Sequence, residues 1–324
     1  MLQHRHVPLL KLALTTFPHV ALTETSREYP TAASLLVRFR NAALQLGAEE
    51  SVAGTSVEGR AIPRYDFGTL GKPVVLLSAL MHGVEVIGGL ALLEVLEVLS
   101  TRRSDFESLL ESAHFVVLPV VNPDALERNL ARMGAGQRAW QRCNARGVDL
   151  NRNFPRVTTE TLYHPFSGSR FRWSPHYIGP GALSEPESRA VHDVAIATRP
   201  AVSLAFHSFG NLLLYPWAYT ARHNPRAAEY RALGTAMCDA LKRFPYRVGQ
   251  ARSLYSVIGD MDDWLDTTFG TLAFTVEVSR PEFSWSKLGR LLNPFHWMNP
   301  ERTREVVRDL APGILALLAS ACVR

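Results

Sequence analysis

Short apolar runs alternate along the chain with longer segments whose apolar residues recur at helical spacing. The runs that have the length and apolar content of buried strands are 73–79, 115–119, 202–206, 212–215 and 272–278. Helical spacing is found at 31–40, 86–99, 225–244 and 300–321. This alternation predicts an α/β protein in which helices cover both faces of one sheet, a three-layer α/β/α architecture.

Local turn and capping signals refine this pattern. A strand pair is predicted at 54–68, turning at Glu58–Gly59. A further helix is predicted to run to about Thr198. Ser184 is its expected N-cap, Pro186 lies in its first turn, and Glu187 completes a capping box.

The chain has 324 residues, of which 47% are hydrophobic and 20% are charged, so it can bury a large core and is not expected to be disordered. We predict a partly helical N-terminal arm at 1–47 and one main domain at 48–324. The apolar stretch at 7–14 contains Pro8 and Lys11, and no small-residue cleavage site follows it. It is therefore not predicted to be an export signal.

The charge and the cysteines narrow the functional class. The net charge is +5, but the arginines are scattered, and the basic doublets, such as Lys242–Arg243, are short. This favours a mildly basic surface over a nucleic-acid site, and no apolar run is long enough to span a membrane. Three cysteines, Cys143, Cys238 and Cys322, do not make a disulfide framework. A reducing, cytoplasmic location is expected.

Polar side chains follow three of the predicted strands. His82 and Glu85 come after the run at 73–79, His207 directly follows the run at 202–206, and Glu277 lies near the end of the run at 272–278. Ligands of open α/β sheets bind beyond the carboxyl ends of the strands. Two histidines and a carboxylate suit catalytic zinc, which keeps a fourth position for water. Each residue alone is also compatible with an ordinary structural role.

The segment 147–155 places Asp149, Asn151 and Arg152 close together between turn residues. Arginine is suited to bidentate capture of a carboxylate. The same residues could instead form a polar loop that is hydrogen-bonded to itself, and the segment alone does not decide between the two.

In this order the motifs resemble the zinc carboxypeptidase family, over about residues 52–310. His82-Gly-Val-Glu85 resembles the family's first metal motif, and His207-Ser-Phe resembles its third metal ligand. Asn151-Arg152 resembles the pair that binds the terminal carboxylate of the substrate. Thr275-Val-Glu277 resembles the strand that carries the catalytic glutamate. The segment 177–187 is similar to bacterial members of the family.

The resemblance implies a mixed, mostly parallel sheet, with 48–324 as the catalytic domain. It also implies a single Zn²⁺ held by His82, Glu85 and His207, with Glu277 as general base. The same resemblance implies further roles: Arg142 as oxyanion donor, Asp149 as the carboxylate that orients His82, Asn151 and Arg152 as substrate ligands, Tyr255 as a cap over bound substrate, and a cis peptide at Ser208–Phe209.

Counting back from Glu277 without gaps places Asp262 at the position that, in the resembled family, distinguishes apolar from basic C-terminal residues. The implied function is a metallocarboxypeptidase that prefers C-terminal Lys or Arg. A simpler possibility is that Asp262 and Asp263 both cap the turn at 259–263. The expected substrate is a peptide or a murein peptide, without nucleic acid or membrane, and the sequence indicates no particular oligomeric state.

Three alternative functions remain at this stage. One is a murein-peptide amidase that releases diaminopimelate with the same metal site. The second, less favoured, is a deacylase of N-acyl amino acids, although such enzymes often have a shortened substrate side and this chain keeps the region around Tyr255. The third is a binding protein without catalysis, which is disfavoured because every expected catalytic position is filled.

Overall fold

The computed structural model describes residues 29–159, 166–281 and 292–322. Its strands are β1 Glu49–Thr55, β2 Ala61–Gly68, β3 Val74–Ala79, β4 His114–Leu118, β5 Val202–His207, β6 Leu212–Tyr215, β7 Arg247–Gln250 and β8 Leu272–Glu277. Its α-helices are α1 Ala32–Gln45, α2 Val86–Thr101, α3 Glu107–Ser112, α4 Pro123–Gly134, α5 Pro186–Thr198, α6 Ala227–Ala240, α7 Met261–Phe269, α8 Phe295–Met298 and α9 Thr303–Cys322.

All these strands form one sheet in the order β1-β2-β4-β3-β5-β8-β6-β7. The central strands β4, β3, β5 and β8 run parallel, whereas β1, β2 and the β6–β8 pair introduce antiparallel pairings. The prediction of a mixed, mostly parallel sheet is confirmed. The parallel centre matters for function because it brings the carboxyl ends of β3, β5 and β8 to one edge.

Neighbouring residues of the central strands face two different cores. Val75 and Leu77 point into the core that contains α1, α2 and α9, and Leu76 points into the core that contains α5 and α7. Because both faces of β3 are covered, its sequence is almost continuously apolar. The three-layer α/β/α prediction is confirmed.

The predicted elements are present with small shifts at their ends, but the predicted capping of α5 is wrong. Its N-cap is Glu185, not Ser184, and no side chain makes the capping hydrogen bond. The Ser184 hydroxyl donates to Glu185, and the Glu187 carboxylate accepts from the backbone N–H of Val57. The carboxylates of Glu185 and Glu187 both accept from Asn144, in a neighbouring loop. Neither carboxylate is therefore available to cap the helix.

The predicted N-terminal arm is described only from residue 29 onward, and residues 1–28 of it lie outside the described ranges. In α1, Leu35 and Phe39 are fully buried in the same core as α2. This part of the arm is therefore packed into the main body of the protein. Within the described ranges, no helix is both long enough and apolar enough to cross a bilayer.

Candidate active site

Three elements bring a possible metal-binding set together at the carboxyl edge of the sheet. His82 lies in the turn after β3, Glu85 precedes α2 directly, and His207 is the last residue of β5. Since β3 and β5 are adjacent and parallel, the chain leaves both at the same edge. One ligand atom from each of the three buried residues lies within 4.8 Å of the others.

The distances within this set fit a shared cation. The Glu85 carboxylate lies 3.0 Å from His82 Nδ1 through one oxygen and 2.8 Å from His207 Nδ1 through the other. The two ring nitrogens are themselves 3.1 Å apart. Burial favours the neutral form of Glu85, but the two histidines outweigh it and hold its pKa well below the usual range. An ionised carboxylate beside two imidazole nitrogens matches the donor set that zinc prefers.

Asp149 orients the first histidine from the other side of its ring. One carboxylate oxygen lies 2.9 Å from His82 Nε2 and accepts the Asn151 backbone N–H at 3.1 Å. The other lies 3.3 Å from His176 Nδ1. Burial opposes ionisation of Asp149, yet Arg142 and His82 keep its pKa well below the usual value. This is the position predicted for Asp149, whereas His176 was missed because its sequence surroundings carry no motif.

Arg142 links the possible metal-binding residues to the carboxylate of Asp149. Its Nη1 donates to Glu85 at 2.8 Å and its Nε donates to Asp149 at 3.2 Å. The Nη2 atom makes no hydrogen bond within the described ranges. The guanidinium is thus fixed on two sides and keeps one nitrogen for a further acceptor, as an oxyanion donor requires.

Glu277 ends β8 and pairs in register with His207 on β5. Its Oε2 is buried and has no hydrogen-bond partner among the described residues. Burial and the nearby Glu85 raise the pKa of Glu277 to about 7. A carboxyl group in this condition is suited to exchanging protons near neutral pH.

Arg152 is buried, with 4% of its surface exposed. Its nitrogens donate to the backbone carbonyls of Asn151 and Phe166, and no acidic side chain pairs with it in the described part of the chain. The Asn151 side-chain oxygen accepts the Met261 backbone N–H at 3.0 Å, which ties this segment to the start of α7. The self-bonded loop considered for 147–155 therefore accounts for only part of its polar groups.

Asp262 lies in the first turn of α7 and is buried. One carboxylate oxygen accepts the Thr275 hydroxyl at 2.5 Å, and the other has no partner in the described ranges. Burial raises the pKa of Asp262 to about 7. Thr275 precedes Glu277 by two residues on β8, so Asp262 lies beside the face of the strand that carries Glu277.

The alternative that Asp262 and Asp263 both cap the local turn is wrong. The N-cap of α7 is Asp260, which accepts the Asp263 backbone N–H. Asp263 instead accepts the backbone N–H groups of Ala218 and Tyr219. Asp262 takes no part in this capping and makes no ion pair with a residue of the described ranges.

The cis peptide bond and the position of Tyr255 can be compared with what the resemblance implied. The Ser208–Phe209 peptide is cis, as the resemblance implied, and a second cis bond at Pro216–Trp217 was not anticipated. The rings of Tyr255 and Phe166 pack in a T-shaped arrangement, with centroids 5.6 Å apart. It lies near the Arg152 side of the site, because the Phe166 carbonyl accepts from Arg152.

This sheet, with a histidine–glutamate–histidine set at its carboxyl edge, defines a metallohydrolase-like site, and comparison with known proteins assigns the family. The family model described as "Zinc carboxypeptidase" (Peptidase M14) matches residues 48–294. The chain belongs to the zinc carboxypeptidase family. The expected enzyme class and the expected zinc cofactor are confirmed by this membership.

Among curated proteins, the chain is similar to Carboxypeptidase B of Helicoverpa zea, with 27% identity over 86% of this chain and 65% of that protein. It is 28% identical to Carboxypeptidase B of Astacus astacus over 72% of this chain and 80% of that protein. The chain spans just under two thirds of the length of the Helicoverpa zea protein. Among solved structures, Carboxypeptidase A from Helicoverpa armigera superposes with a TM-score of 0.76 at 23% identity, covering 97% of this chain and 79% of that one.

Proposed function

We propose that the protein hydrolyses the C-terminal peptide bond of peptides and prefers a terminal lysine or arginine. One observation carries this proposal: among the described residues, the buried guanidinium of Arg152 is ion-paired with no acid and the buried carboxylate of Asp262 is ion-paired with no cation. The segments that carry them are in contact, since Asn151 bonds Met261. A free lysine or arginine at a C-terminus offers the complementary pair of charges.

The guanidinium of Arg152 would recognise the C-terminal end of the substrate peptide. A buried charge is costly unless it is paired, so Arg152 favours an anionic ligand. The side-chain NH2 of Asn151 makes no hydrogen bond within the described ranges and is a second donor for the same ligand. Together they would hold an α-carboxylate, which restricts cleavage to the last peptide bond.

The carboxylate of Asp262 would determine which C-terminal side chain the substrate can have. The unpartnered oxygen of Asp262 is stabilised by an ammonium or guanidinium head group, and an apolar side chain would leave it buried and unpaired. Such a mismatch typically costs about 2–5 kcal/mol, which is enough to determine selectivity. Both named relatives are carboxypeptidases, which supports the C-terminal cleavage that we propose.

The residues of the chain divide the chemistry among them. His82, Glu85 and His207 would hold zinc, which supplies Lewis-acid polarisation of a carbonyl and makes water more acidic when it is bound. Glu277 takes a proton from the attacking water and delivers it to the leaving amine. Arg142 donates to the oxygen that becomes negative, through the nitrogen that has no other partner. Tyr255 closes over the substrate and excludes bulk water.

The test is a set of substrates that share one peptide body and differ only at the C-terminus. It includes free-acid Arg, Lys, Leu and Phe termini, an Arg terminus whose carboxylate is amidated, and a murein tripeptide that ends in diaminopimelate. Mass spectrometry should show loss of a single residue, with the highest kcat/KM for Arg or Lys. Cleavage of the amidated peptide at a similar rate, or a preference for Leu or Phe, would contradict the proposal.

The same panel decides the murein alternative. Diaminopimelate also presents a carboxylate and an amine, so Arg152 and Asp262 would suit it in the same way. A kcat/KM on the murein tripeptide far above that on every ordinary peptide would replace the proposed substrate with this one.

A further inference from the structure

The segment 166–177 forms a loop whose tip is aromatic and exposed; we call it the aromatic loop. Backbone hydrogen bonds close its base, from Ser169 N–H to the His176 carbonyl at 2.8 Å and from Ile178 N–H to the Ser169 carbonyl at 3.0 Å. At the tip, Phe171 and Trp173 stack with ring centroids 5.1 Å apart. Trp173 is 82% exposed and Phe171 is 60% exposed. Exposed aromatic pairs of this kind are typical of interaction surfaces.

The base of the loop is part of the active-site wall. His176 contacts Asp149, and the Phe166 ring packs against both His176 and Tyr255. His176 lies three positions after Trp173, and an extended chain advances about 3.3–3.6 Å per residue. The tip therefore lies within about 11 Å of the wall of the site, a distance that about three residues of an extended peptide can span.

Two arginines make the tip cationic. Arg170 and Arg172 flank Phe171 and are exposed. Neither makes a hydrogen bond or an ion pair within the described part of the chain. The surface thus combines stacked rings with two guanidinium groups that are free to bind an anion.

We propose that the aromatic loop binds an acidic segment of the peptide substrate, N-terminal to the bond that is cleaved. This inference rests on the proposed function, because it takes the substrate to be a peptide whose C-terminal residue is enclosed by Arg152 and Asp262. The rest of that peptide must leave the site past its rim. Acidic side chains a few residues upstream then meet Arg170 and Arg172, while the peptide backbone and aliphatic groups lie on Phe171 and Trp173.

The test compares three substrates that all end in arginine. The first is an N-blocked dipeptide, too short to reach the tip. The second is an octapeptide with Asp or Glu at the third to fifth positions before the cleaved bond, and the third carries Asn or Gln at those positions. At low ionic strength the acidic octapeptide should exceed the neutral one in kcat/KM by about twofold to twentyfold, since each of the two exposed ion pairs contributes up to about fivefold. At 0.5 M NaCl this ratio should fall toward one.

Matched variants assign the effect to the loop. Arg170→Gln with Arg172→Gln should abolish the acidic preference and leave the dipeptide unchanged, whereas Lys72→Gln, in the turn before β3, should alter neither. Trp173→Ala should lower kcat/KM for both octapeptides but not for the dipeptide. Leu70→Ala is its control, since Leu70 is 80% exposed in that same distant turn.

The outcomes separate this inference from the function it rests on. Cleavage of the dipeptide with equal rates for both octapeptides, or an acidic preference that survives in the double arginine variant, would overturn the inference alone. If the dipeptide and both octapeptides are not cleaved, the proposed function fails. Calorimetric binding of the two octapeptides to Glu277→Gln protein then still decides the inference, because it predicts tighter binding of the acidic one.

Discussion

At the scale of single residues, some buried charged groups of the site form ion pairs and others do not. Arg142 is paired with Glu85 and Asp149, and these charges hold the ligand set in place. Arg152 and Asp262 are also desolvated, but neither makes an ion pair with a residue of the described ranges. Desolvation of a charge without an ion-pair partner is costly, so under the proposed function these two positions exchange stability for substrate binding.

The first prediction concerns selectivity. Asp262→Ala removes the carboxylate that we propose to face a basic side chain, and kcat/KM for a C-terminal Arg peptide should fall by at least about 30-fold, the equivalent of about 2 kcal/mol. The value for the matching Leu peptide should change much less. Equal losses on both substrates would show that Asp262 acts on folding and not on the pocket.

The second prediction concerns pH and stability. Burial raises the pKa of Asp262 to about 7, whereas an aspartate in an unfolded chain titrates near ~3.9. Between these pH values the unfolded chain has released a proton that the folded protein keeps, so this residue lowers stability as pH rises from about 4 to 7. Asp262→Asn removes that effect and keeps an acceptor for Thr275.

The expected result is a variant whose free energy of unfolding exceeds that of the wild type at pH 8 by about 2–4 kcal/mol, at about 1.4 kcal/mol per pKa unit. Near pH 5 the difference should be smaller. Urea denaturation at both pH values measures it. A difference that does not change with pH would mean that the Asp262 carboxyl titrates normally.

The third prediction concerns catalysis. Glu277→Gln keeps the shape of the side chain but removes the proton acceptor, so kcat should fall by about 10²–10⁴-fold. Zinc content and substrate affinity should be retained, since Glu277 is outside the ligand set. Glu111→Gln, on the exposed side of α3, is the matched control. A near-normal kcat would exclude Glu277 as the general base.

At the scale of elements, sequence predicted the parts of the fold that rest on continuous apolar runs. Strands β3, β5 and β8 are buried on both faces, and His207 and Glu277 are the last residues of β5 and β8. Sequence did not predict β7, a short and partly exposed edge strand containing Gly249. It also missed α7, because the first turn of this helix buries acids that hide its apolar face.

The loop between Arg142 and Asp149 shows a second limit. Asn144 fixes this loop by donating to Glu185 at 2.8 Å and to Glu187 at 3.0 Å. These contacts bridge about 40 positions of sequence, and no local pattern announces them. The failed capping box at α5 has the same cause, since Glu185 and Glu187 serve the loop and β1–β2 turn, not the helix end.

The fourth prediction tests this loop anchor. Asn144→Asp would place a third carboxylate between two buried ones and remove the donor, so it should destabilise the protein by more than about 2 kcal/mol near neutral pH. Stability should partly return as pH falls below 5 and the carboxylates take up protons. Thermal melting at pH 7.5 and pH 5 measures this. A fully stable variant at pH 7.5 would contradict the anchor.

At the scale of the whole molecule, the sheet brings together residues that are far apart in the chain. Arg142 reaches Glu85 across 57 positions, and His207 reaches the same carboxylate across 122. The motifs predicted which residues the sheet brings together at its carboxyl edge. Their distances, the unpaired nitrogen of Arg142 and the contact of His176 with Asp149 depend on packing between layers, which sequence does not specify.

The central claim is that the carboxyl edge of this sheet holds one zinc ion. The most direct test is a crystal of the zinc-loaded protein and an anomalous difference map from data on both sides of the zinc absorption edge. We expect a single strong peak in contact with His82, Glu85 and His207, beside Glu277. A strong peak held by Cys143 or His192 instead, with none at this edge, would contradict it.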